Sequence, residues 1–416
     1  MVKQLAWEGG DADIAGLAQE IDDAEDVLDV SNKAPIIKLV NTILFQALKL
    51  RSSDVHFQPY PDRVQVRFRI DGILYDMDAI PRRVLEAIVS RVKIMGKMDI
   101  AERRLPQDGR ATIRLGDSEV DVRVSSVPTT TGERIVMRLL DKSAKVYSLP
   151  EIGLTQDNEN LLREYLNYSH GIILVTGPTG SGKTTTLYAG LTELDTTSKN
   201  VLTIEDPVEY SVGGVSQVQV NQKKGLTFAS GLRSFLRQDP DVMMVGEIRD
   251  DETAENAVQA ALTGHQVMST IHTGDAAGAI GRMVDLGTLP FLLSSVLVGV
   301  VAQRLVRKIC SGCKEEYMPK KEMLDAIGLK ADEIGERKFY YGTGCEECSQ
   351  AGYRGRTGLF EMIKVTDSFR EMINSGAATL VLRQSAIEQG MRTLREDGIR
   401  SIFDGESTVE EVLKYT

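Results

Sequence analysis

Eight residues, GPTGSGKT at positions 177–184, constrain the fold of this chain more than any other stretch. They match the pattern G-x-x-x-x-G-K-[ST], in which glycines bring backbone N–H groups close to phosphate oxygens, the lysine reaches the β- and γ-phosphates, and the hydroxyl binds Mg²⁺. A continuous apolar run, GIILVTG, precedes the loop, and a segment with helical periodicity, TTTLYAGLTEL, follows it. Strand, loop and helix N-terminus together favour phosphate binding over an ordinary glycine turn.

The loop therefore predicts a site for ATP and Mg²⁺. Lys183 is expected to contact the β- and γ-phosphates, and Thr184 is expected to bind Mg²⁺. Cofactor-binding roles are also predicted for the rest of the loop and for the residue that follows it: Gly177, Pro178, Thr179, Gly180, Ser181, Gly182 and Thr185.

Length and composition restrict the remaining possibilities. A chain of 416 residues is expected to contain two or three domains. The net charge of −11 argues against tight sequence-independent binding to nucleic acid. The longest apolar stretch, residues 289–302, is too short to span a bilayer and is interpreted as a buried helix. The N-terminus lacks the basic-then-apolar order of a signal peptide, which predicts a cytoplasmic protein.

The N-terminal third predicts a linker and a domain. Residues 1–33 are interpreted as an acidic linker, because positions 11–29 contain no basic residue; for part of this segment a short helix with one charged face is an equal interpretation. Residues 34–147 predict an α+β domain. An amphipathic segment is followed there by a hairpin pattern across Asp71-Gly72, a helix pattern at 82–98 and three further strand patterns.

The rest of the chain divides into three predicted regions. Residues 153–304 alternate helical and strand patterns, which predicts an α/β nucleotide-binding core. The stretch YSLPEIG at 147–153 is interpreted as a hinge before this core, because proline and glycine interrupt both periodicities. Residues 305–360 contain four cysteines, and residues 361–416 are predicted to be mainly helical.

Acidic residues follow two predicted strands of the core. Glu247 follows the strand in DVMMVGEIRD, and glycine occupies the preceding position, where many phosphate-loop hydrolases have an aspartate for Mg²⁺. Glu247 is therefore assigned as the general base or water-positioning group. Asp241 lies at the opposite end of that strand, about 15–20 Å away, and cannot replace it. Glu205 and Asp206 follow another strand, where either acid could order Mg²⁺ or a water, or cap the turn.

Two of the four histidines bracket the strand in GHQVMSTIHT. A lone histidine is more often structural than catalytic, so an assignment depends on the context of the phosphate loop. His272, at the end of the strand, is favoured as a sensor of the γ-phosphate. For His265, at its start, structural and functional roles are equally open.

The four cysteines form two pairs, Cys310-x₂-Cys313 and Cys345-x₂-Cys348. Disulfides are not expected in a cytoplasmic chain, and two such pairs are able to supply four thiolates to Zn²⁺ in tetrahedral geometry. Buried free thiols are the alternative. No open coordination position is implied, so the predicted zinc has a structural role.

Several arginines are candidates for contact with phosphate. Arg123, Arg134 and Arg138 lie in or near strand patterns of the first domain, while Arg233 and Arg237 are one helical turn apart in GLRSFLRQDP. Positive charge delivered to a γ-phosphate couples hydrolysis to movement in other phosphate-loop proteins. Spacing alone leaves each of these arginines equally open to an ordinary solvated role.

Four motifs together resemble those of the secretion traffic ATPases. GPTGSGKT corresponds to the Walker A motif, TIEDPVEY to the Asp box, RQDPDVMMVGEIRDDETA to the Walker B motif and TGHQVMSTIHT to the His box. The four cysteines and a first domain containing RVSSVPTTTGERIVMRLL favour the type II secretion ATPases within this family. The type IV pilus assembly ATPases share nearly all of these motifs, whereas the retraction motors lack the cysteine segment. The similarity extends from about residue 34 onward.

The resemblance implies an α/β fold with a RecA-like phosphate-loop core, a preceding PAS-like α+β domain and a small zinc-binding subdomain. It implies ATP, Mg²⁺ and structural Zn²⁺ as cofactors. Glycine before Glu247 is the family's own pattern and does not argue against activity. Catalytic roles are implied for Lys183, Glu205, Glu247 and His272. Phosphate-binding roles are implied for Arg123, Arg138, Arg233 and Arg237.

The implied function is Mg-dependent ATP hydrolysis that powers pseudopilus assembly and protein export in type II secretion, with type IV pilus assembly as the alternative. The implied assembly is a homo-hexamer in the cytoplasm, peripheral at the inner membrane, where it meets secretion platform proteins. A nucleic-acid translocase is the rival from another class, because zinc-type cysteines often occur in nucleic-acid proteins. The net charge and the acidic or mixed segments beside the cysteines argue against nucleic acid as a partner.

Two features depart from the family pattern. Gly274 stands in HTGDA where the family often has asparagine, so no polar contact from a side chain is expected at this position. Longer members have an additional N-terminal domain that docks on an inner-membrane partner, whereas this sequence starts almost at the acidic segment. The membrane partner is therefore expected to bind through a domain outside this sequence.

Overall fold

The computed structural model describes residues 14–22, 33–115, 118–141, 146–330 and 334–416. The chain divides into two units. The first comprises residues 1–144 and 344–351, and the second comprises residues 145–343 and 352–416. Among the described residues, no helix combines the length and the apolarity needed to cross a membrane.

The first unit is built on a six-stranded antiparallel sheet in the order β3-β2-β1-β6-β5-β4. The predicted hairpin is confirmed: β2 and β3 pair across Asp71 and Gly72, whose φ values of 47° and 84° are the left-handed conformations that a tight two-residue turn requires. The elements of this unit are α1 (Ile14–Asp22), α2 (Lys33–Lys49), β1 (Asp54–Pro59), β2 (Arg63–Ile70), β3 (Ile73–Pro81), α3 (Leu85–Gly96), β4 (Gln107–Leu115), β5 (Ser118–Thr129) and β6 (Gly132–Asp141).

Part of the predicted acidic linker is a packed helix. Helix α1 buries Ile14 and Ala18 in the hydrophobic core of the first unit, and Leu17 packs against the same core. These apolar residues recur at helical spacing, so one face of the helix packs against the core although the segment is acidic overall. For residues 14–22 the alternative interpretation, a short helix, is therefore confirmed and the linker is wrong. Residues 1–13 and 23–32 lie outside the described residues.

The sheet of the first unit has one apolar and one polar face. Along β1, Val55 and Phe57 belong to a core that also contains side chains of α2 and α3. Asp54 and His56 alternate with them and therefore lie on the opposite face. That second face is the one available to charged side chains.

A buried ion pair ties α3 to the start of β6. Lys93 Nζ lies 2.5 Å from Glu133 Oε1, and the Lys93 side chain is fully buried. Lys93 also donates to Glu102 O (2.6 Å), and Ser126 Oγ donates to Glu133 Oε1 (2.9 Å). Because both charges find partners inside the unit, the pair holds the loop before β4 in place.

The second unit is built on a seven-stranded sheet in the order β15-β12-β7-β11-β10-β8-β9. All neighbouring pairs are parallel except β12 and β15, which are antiparallel. The elements up to β12 are α4 (Gln156–Leu166), β7 (Gly171–Thr176), α5 (Lys183–Thr192), β8 (Val201–Glu205), β9 (Ser216–Gln219), α6 (Phe228–Phe235), β10 (Val242–Val245), α7 (Asp251–Leu262), β11 (Gln266–Ile271), α8 (Ala276–Asp285), α9 (Pro290–Val296) and β12 (Leu297–Ile309). The remaining elements are β13 (Lys314–Tyr317), α10 (Lys321–Ile327), β14 (Phe339–Gly342), β15 (Tyr353–Lys364), α11 (Asp367–Asn374), α12 (Thr379–Glu388), α13 (Leu394–Phe403) and α14 (Val409–Tyr415).

The parallel arrangement confirms the predicted α/β core. Every residue of β7, β8, β10 and β11 is buried. Parallel strands that helices cover on both faces are buried along their whole length. Because the four strands run in the same direction, their carboxyl ends meet at one edge of the sheet, which we call the phosphate edge.

The apolar stretch 289–302 is not a single helix. Helix α9 ends at Val296, and Leu297 begins β12, which pairs with both β7 and β15. A continuous apolar run lacks the periodicity of either structure, so it fits a strand buried on both faces as well as a buried helix. The predicted helix is therefore wrong from Leu297 onward.

The predicted boundaries of the cysteine segment, 305–360, cut through two strands of the core sheet. β12 continues to Ile309, and β15 starts at Tyr353 and pairs with β12 along most of its length. Both boundaries are wrong because strand pairing makes these residues part of the sheet. The segment that leaves the sheet is 310–352, which contains β13, β14 and all four cysteines.

Replacing Glu133 by glutamine tests the buried pair. The variant keeps an acceptor for Ser126 but leaves the charge of Lys93 buried without a counter-charge, so we expect a loss of roughly 3 kcal/mol in the free energy of unfolding of the first unit. Urea unfolding followed by circular dichroism measures the loss. The double variant Lys93→Met/Glu133→Gln should recover most of it, and a loss below about 1 kcal/mol in the single variant would contradict the account.

Candidate functional site

The phosphate loop connects β7 to α5 at the phosphate edge. Gly182 has a φ of 89° and directly precedes Lys183, the first residue of α5. This left-handed conformation favours glycine, and an added Cβ would also lie 2.9 Å from Gln303 Nε2. The N-terminus of α5 thus presents backbone N–H groups to an anion. Thr184 has an exposed side chain, which leaves its hydroxyl accessible to Mg²⁺.

Lys183 is the buried cation of this edge. Its ammonium group donates hydrogen bonds to Gly177 O (2.8 Å) and Pro178 O (3.0 Å). Burial lowers the pKa of Lys183 to about 8; the carboxylate of Glu247 opposes this shift, and the charge of Arg304 adds to it. An anionic phosphate beside the ammonium group would favour its charged form.

Glu247 follows β10 and faces two basic groups. Its Oε2 lies 2.6 Å from Arg249 Nε and 3.5 Å from His272 Nε2. Ile248 N donates to Thr270 O (2.9 Å), so the backbone after Glu247 is held beside β11, the strand that leads to His272. The Glu247 side chain is 13% exposed, which leaves the carboxylate accessible to a water molecule.

The structure separates the two histidines of the core. His272 follows β11 at the phosphate edge, where burial and the charge of Lys183 lower its pKa while Glu247 opposes the shift. The neutral imidazole is therefore favoured at pH 7. His265 precedes β11, and its Nδ1 lies 2.9 Å from Ala260 O. It lies at the end of the strand away from the phosphate edge, so its contacts are structural.

Glu205 ends β8 with its carboxylate already bound by protein donors. Tyr188 of α5 donates to Oε2, while Thr203 (2.5 Å) and Gln217 (3.1 Å) donate to Oε1. The residue is 2% exposed, and burial together with this hydrogen bond raises the pKa of Tyr188. Glu205 thus links the helix after the phosphate loop to the end of β8, whereas neighbouring Asp206 is exposed.

Sequence reasoning missed several residues of the phosphate edge. Arg249 lies two positions after Glu247, so the acid-arginine spacing in GEIRD was an available signal. Arg304 Nη2 donates to Gly274 O (2.6 Å), and Gln303 Oε1 accepts a hydrogen bond from α5 (2.7 Å). Both belong to β12, and only the sheet topology brings that strand beside β7. Gly274 contributes its backbone carbonyl to this contact, which does not need an asparagine side chain.

The two predicted arginines of the core are exposed: Arg233 lies on α6, and Arg237 lies in the turn that follows this helix. Arg233 of α6 pairs with Glu252 of α7, with Nη1 2.5 Å from Oε1. Arg237 Nη1 donates to Arg233 O (3.0 Å). These contacts connect α6 to α7 and to the turn that follows α6, and they do not involve the phosphate loop.

The first unit has an arginine-lined cavity of its own, with a volume of about 390 Å³. Arg123 and Arg138, both predicted, line it together with Asp54, Asp108 and Arg110. Arg138 Nε lies 3.0 Å from Asp54 Oδ1. The structure therefore brings the two predicted arginines of this unit together.

The four cysteines form one cluster. Their Sγ atoms all lie within 4.8 Å of one another, and the Sγ atoms of Cys345 and Cys348 are 3.7 Å apart. Four sulfur ligands at about 2.3 Å from one Zn²⁺ lie about 3.8 Å from one another. In each pair, the backbone N–H of the second cysteine donates to the carbonyl of the first (3.3 Å). This tight turn directs the two Sγ atoms toward one common point. The donor set therefore fits tetrahedral zinc.

Comparisons with known proteins identify the family of this chain. The family model described as type II/IV secretion system protein matches residues 29–414. Type II secretion system protein E of Pseudomonas aeruginosa is 49% identical over 414 residues, which cover 99% of this chain and 82% of the relative. Type II secretion system ATPase E of Vibrio cholerae is 49% identical, with 98% and 81% covered. Type IV pilus assembly ATPase PilB of Myxococcus xanthus is 45% identical, with 100% and 74% covered.

Solved structures share the fold. The pilus retraction motor PilT, solved with bound ADP, superposes with a TM-score of 0.59 at 26% identity, covering 90% of this chain and 96% of the motor. The Legionella pneumophila ATPase DotB superposes with a TM-score of 0.65 at 20% identity, covering 90% and 94%. At the latter identity the likeness supports the fold alone.

The lowered pKa of Lys183 predicts a pH-dependent affinity for nucleotide. With a pKa of about 8, the charged form falls from roughly nine-tenths of the population at pH 7 to one-tenth at pH 9, so the affinity for a non-hydrolysable ATP analogue should fall about tenfold. Calorimetric titration at several pH values measures it. Lys183→Arg keeps its charge and should bind with little change over this range, and an unchanged affinity in the native protein would refute the assignment.

Proposed function

The chain belongs to the type II/IV secretion system protein family and is an ATPase, and we propose that it is the motor that powers pseudopilus assembly and protein export in type II secretion. The observation on which the proposal depends is the proximity of Lys183, Glu247 and His272 at the phosphate edge. Type II secretion relatives that are 49% identical over nearly the whole chain support the choice of system.

In the proposed reaction the phosphate loop holds ATP. Lys183 binds the β- and γ-phosphates, Thr184 binds Mg²⁺, and the remaining loop residues, 177–182, and Thr185 surround the phosphate chain. Bound Mg²⁺ neutralises charge that develops on the transferred phosphoryl group. The buried position of Lys183 strengthens its attraction to phosphate, because less water competes for the charge.

Glu247 positions the water that attacks the γ-phosphate. In the structure its carboxylate is paired with Arg249, so a γ-phosphate offers the guanidinium group a second anionic partner and leaves Glu247 free to bind the water. His272 lies beside the same carboxylate and contacts the γ-phosphate when it is present. In this arrangement Glu247 is paired with Arg249 when no triphosphate is bound and is available to the water when a triphosphate is bound.

Glu205 is proposed to act indirectly, without contacting the phosphates. Its hydrogen bonds with Tyr188 and Gln217 support a positioning role, in which Glu205 keeps α5, the helix after the phosphate loop, aligned with the end of β8.

Arg123 and Arg138 are proposed to bind nucleotide phosphates in the first-unit cavity. Arg233 and Arg237 are proposed as further phosphate contacts, and their exposed positions leave them accessible to an anion.

Zinc is proposed as a structural cofactor held by Cys310, Cys313, Cys345 and Cys348. The spacing of the sulfur atoms supports this proposal. Four thiolates leave no coordination position for a water molecule, so the ion would cross-link segment 310–352 and take no part in hydrolysis.

The resemblance to secretion traffic ATPases supports an assembly and a location for the motor. We propose a homo-hexameric ring in the cytoplasm, bound peripherally at the inner membrane to platform proteins of the secretion system.

Type IV pilus assembly is the second candidate function, because PilB of Myxococcus xanthus is 45% identical over the whole chain. Restoration of secretion, and not of pili, in cells that lack each motor would support the first candidate.

Mg-ATP turnover by Glu247→Gln tests the proposed function. The amide cannot act as a base, so we expect turnover to fall about 100-fold or more while the affinity for ATP changes little. Phosphate release and equilibrium binding of labelled ATP provide the two measurements. Glu255→Gln, an exposed acid on neighbouring α7, should keep native turnover. Native turnover in Glu247→Gln would overturn the catalytic assignment.

Zinc removal tests the cysteine cluster separately. Metal analysis should find one zinc per chain, lost in Cys345→Ser but retained in Ser311→Ala, whose side chain lies between the first two cysteines in sequence. Without zinc, segment 310–352 should become sensitive to protease while the phosphate loop still binds ATP. Absence of zinc from protein purified without chelator would reject the proposal.

A further inference from the structure

A row of charged side chains crosses the polar face of the first-unit sheet. In the pairing register Arg69 of β2 stands opposite Asp54 of β1, and Asp54 stands opposite Arg138 of β6. Arg138 stands opposite Arg123 of β5, which stands opposite Arg110 of β4. Residues that oppose each other in paired strands share one face, so these five side chains form a continuous row across five strands.

Asp54 fixes one end of this row. Its side chain is only 6% exposed, and its Oδ1 lies 3.0 Å from Arg138 Nε. Its Oδ2 accepts a hydrogen bond from Ser53 Oγ (2.7 Å) and lies 3.8 Å from Arg69 Nε. Asp54 therefore orients Arg138 and neutralises part of the positive charge at this end.

The other end has three arginines in succession. Arg138, Arg123 and Arg110 stand on neighbouring strands about 4.8 Å apart, and like charges that oppose each other destabilise a sheet. All three line the cavity of about 390 Å³, as does Asp108, which lies on the same face of β4. Within the described part of the chain, the exposed guanidinium group of Arg110 has no hydrogen-bond or ion-pair partner.

We propose that Arg110 is a third phosphate-binding arginine of this cavity, acting with Arg123 and Arg138 on the phosphate groups of the nucleotide. The inference rests on the proposed function, which gives the other two arginines that role. A planar guanidinium group forms paired hydrogen bonds with phosphate oxygens, and a phosphate among the arginines relieves the repulsion within the row. Arg110 binds this phosphate without first breaking an ion pair.

The test compares Arg110→Ala with Arg114→Ala in the full chain. Arg114 lies on the same strand and face, outside the cavity, and its Nε is 3.4 Å from Glu119 Oε1. We expect Arg110→Ala to raise both the KM for Mg-ATP and the inhibition constant of inorganic pyrophosphate about tenfold, with less change in kcat. Arg114→Ala should change neither by more than about twofold. Arg110→Lys keeps the charge without the planar geometry and should give an intermediate KM.

Arg123→Ala separates this inference from the proposed function. A raised KM in Arg123→Ala together with a native KM in Arg110→Ala would overturn the role of Arg110 alone. Native values in both variants would show that the cavity does not bind nucleotide phosphates, so the role proposed for Arg123 would fail as well. Equal increases in Arg110→Ala and Arg114→Ala would assign the effect to general surface charge and would also overturn the inference.

Discussion

Parallel pairing of β7, β11, β10 and β8 is the constraint on which the nucleotide site depends. Each strand is buried throughout and fixed in register with its neighbour, so the residues that follow the four strands are held at one edge. Lys183, Glu247 and His272 come from segments up to 90 positions apart in sequence and meet there for this reason. If β11 ran antiparallel to β7 and β10, the residues that follow it, including His272, would lie at the opposite edge of the sheet.

Electrostatics at the edge provides a connection between binding and hydrolysis. The cation that holds phosphate, Lys183, is buried enough to have a lowered pKa, and the carboxylate of Glu247 opposes this effect. Glu247 in turn is paired with Arg249. A bound triphosphate brings negative charge to both basic groups, so it stabilises the charged lysine and competes with Glu247 for the arginine. Binding of the triphosphate therefore changes the ion pairs of the residues that hydrolyse it.

Local patterns in the sequence predicted the features that depend on neighbouring residues. The phosphate loop, the Asp71-Gly72 turn and the two cysteine pairs all have short spacings whose chemistry can be recognised without a fold. The apolar run 289–302 was misassigned because buried strands and buried helices have the same composition there. Boundaries at 305 and 360 were wrong for a related reason, since the pairing of β12 with β15 joins residues about 50 positions apart.

In the candidate site, too, residues of one local motif were predicted and contacts between distant elements were not. Lys183 and Thr184 follow from one motif, whereas the partner of Glu205 is Tyr188 on another element, and no spacing rule relates the two. The cross-strand row that includes Arg110 also has no signal in one dimension, because its members come from five strands. Side chains that act by contact across a sheet require the register, and the register requires the structure.

The most direct test of the nucleotide site is the position of the metal in a crystal grown with a non-hydrolysable ATP analogue and Mn²⁺ in place of Mg²⁺. We expect an anomalous peak about 2.1 Å from Thr184 Oγ1. Lys183 Nζ should bind the β- and γ-phosphates, and the Glu247 carboxylate should face the γ-phosphate. A metal bound to Asp206 or elsewhere, with Thr184 uncoordinated and Glu247 still paired with Arg249, would contradict the proposed nucleotide site.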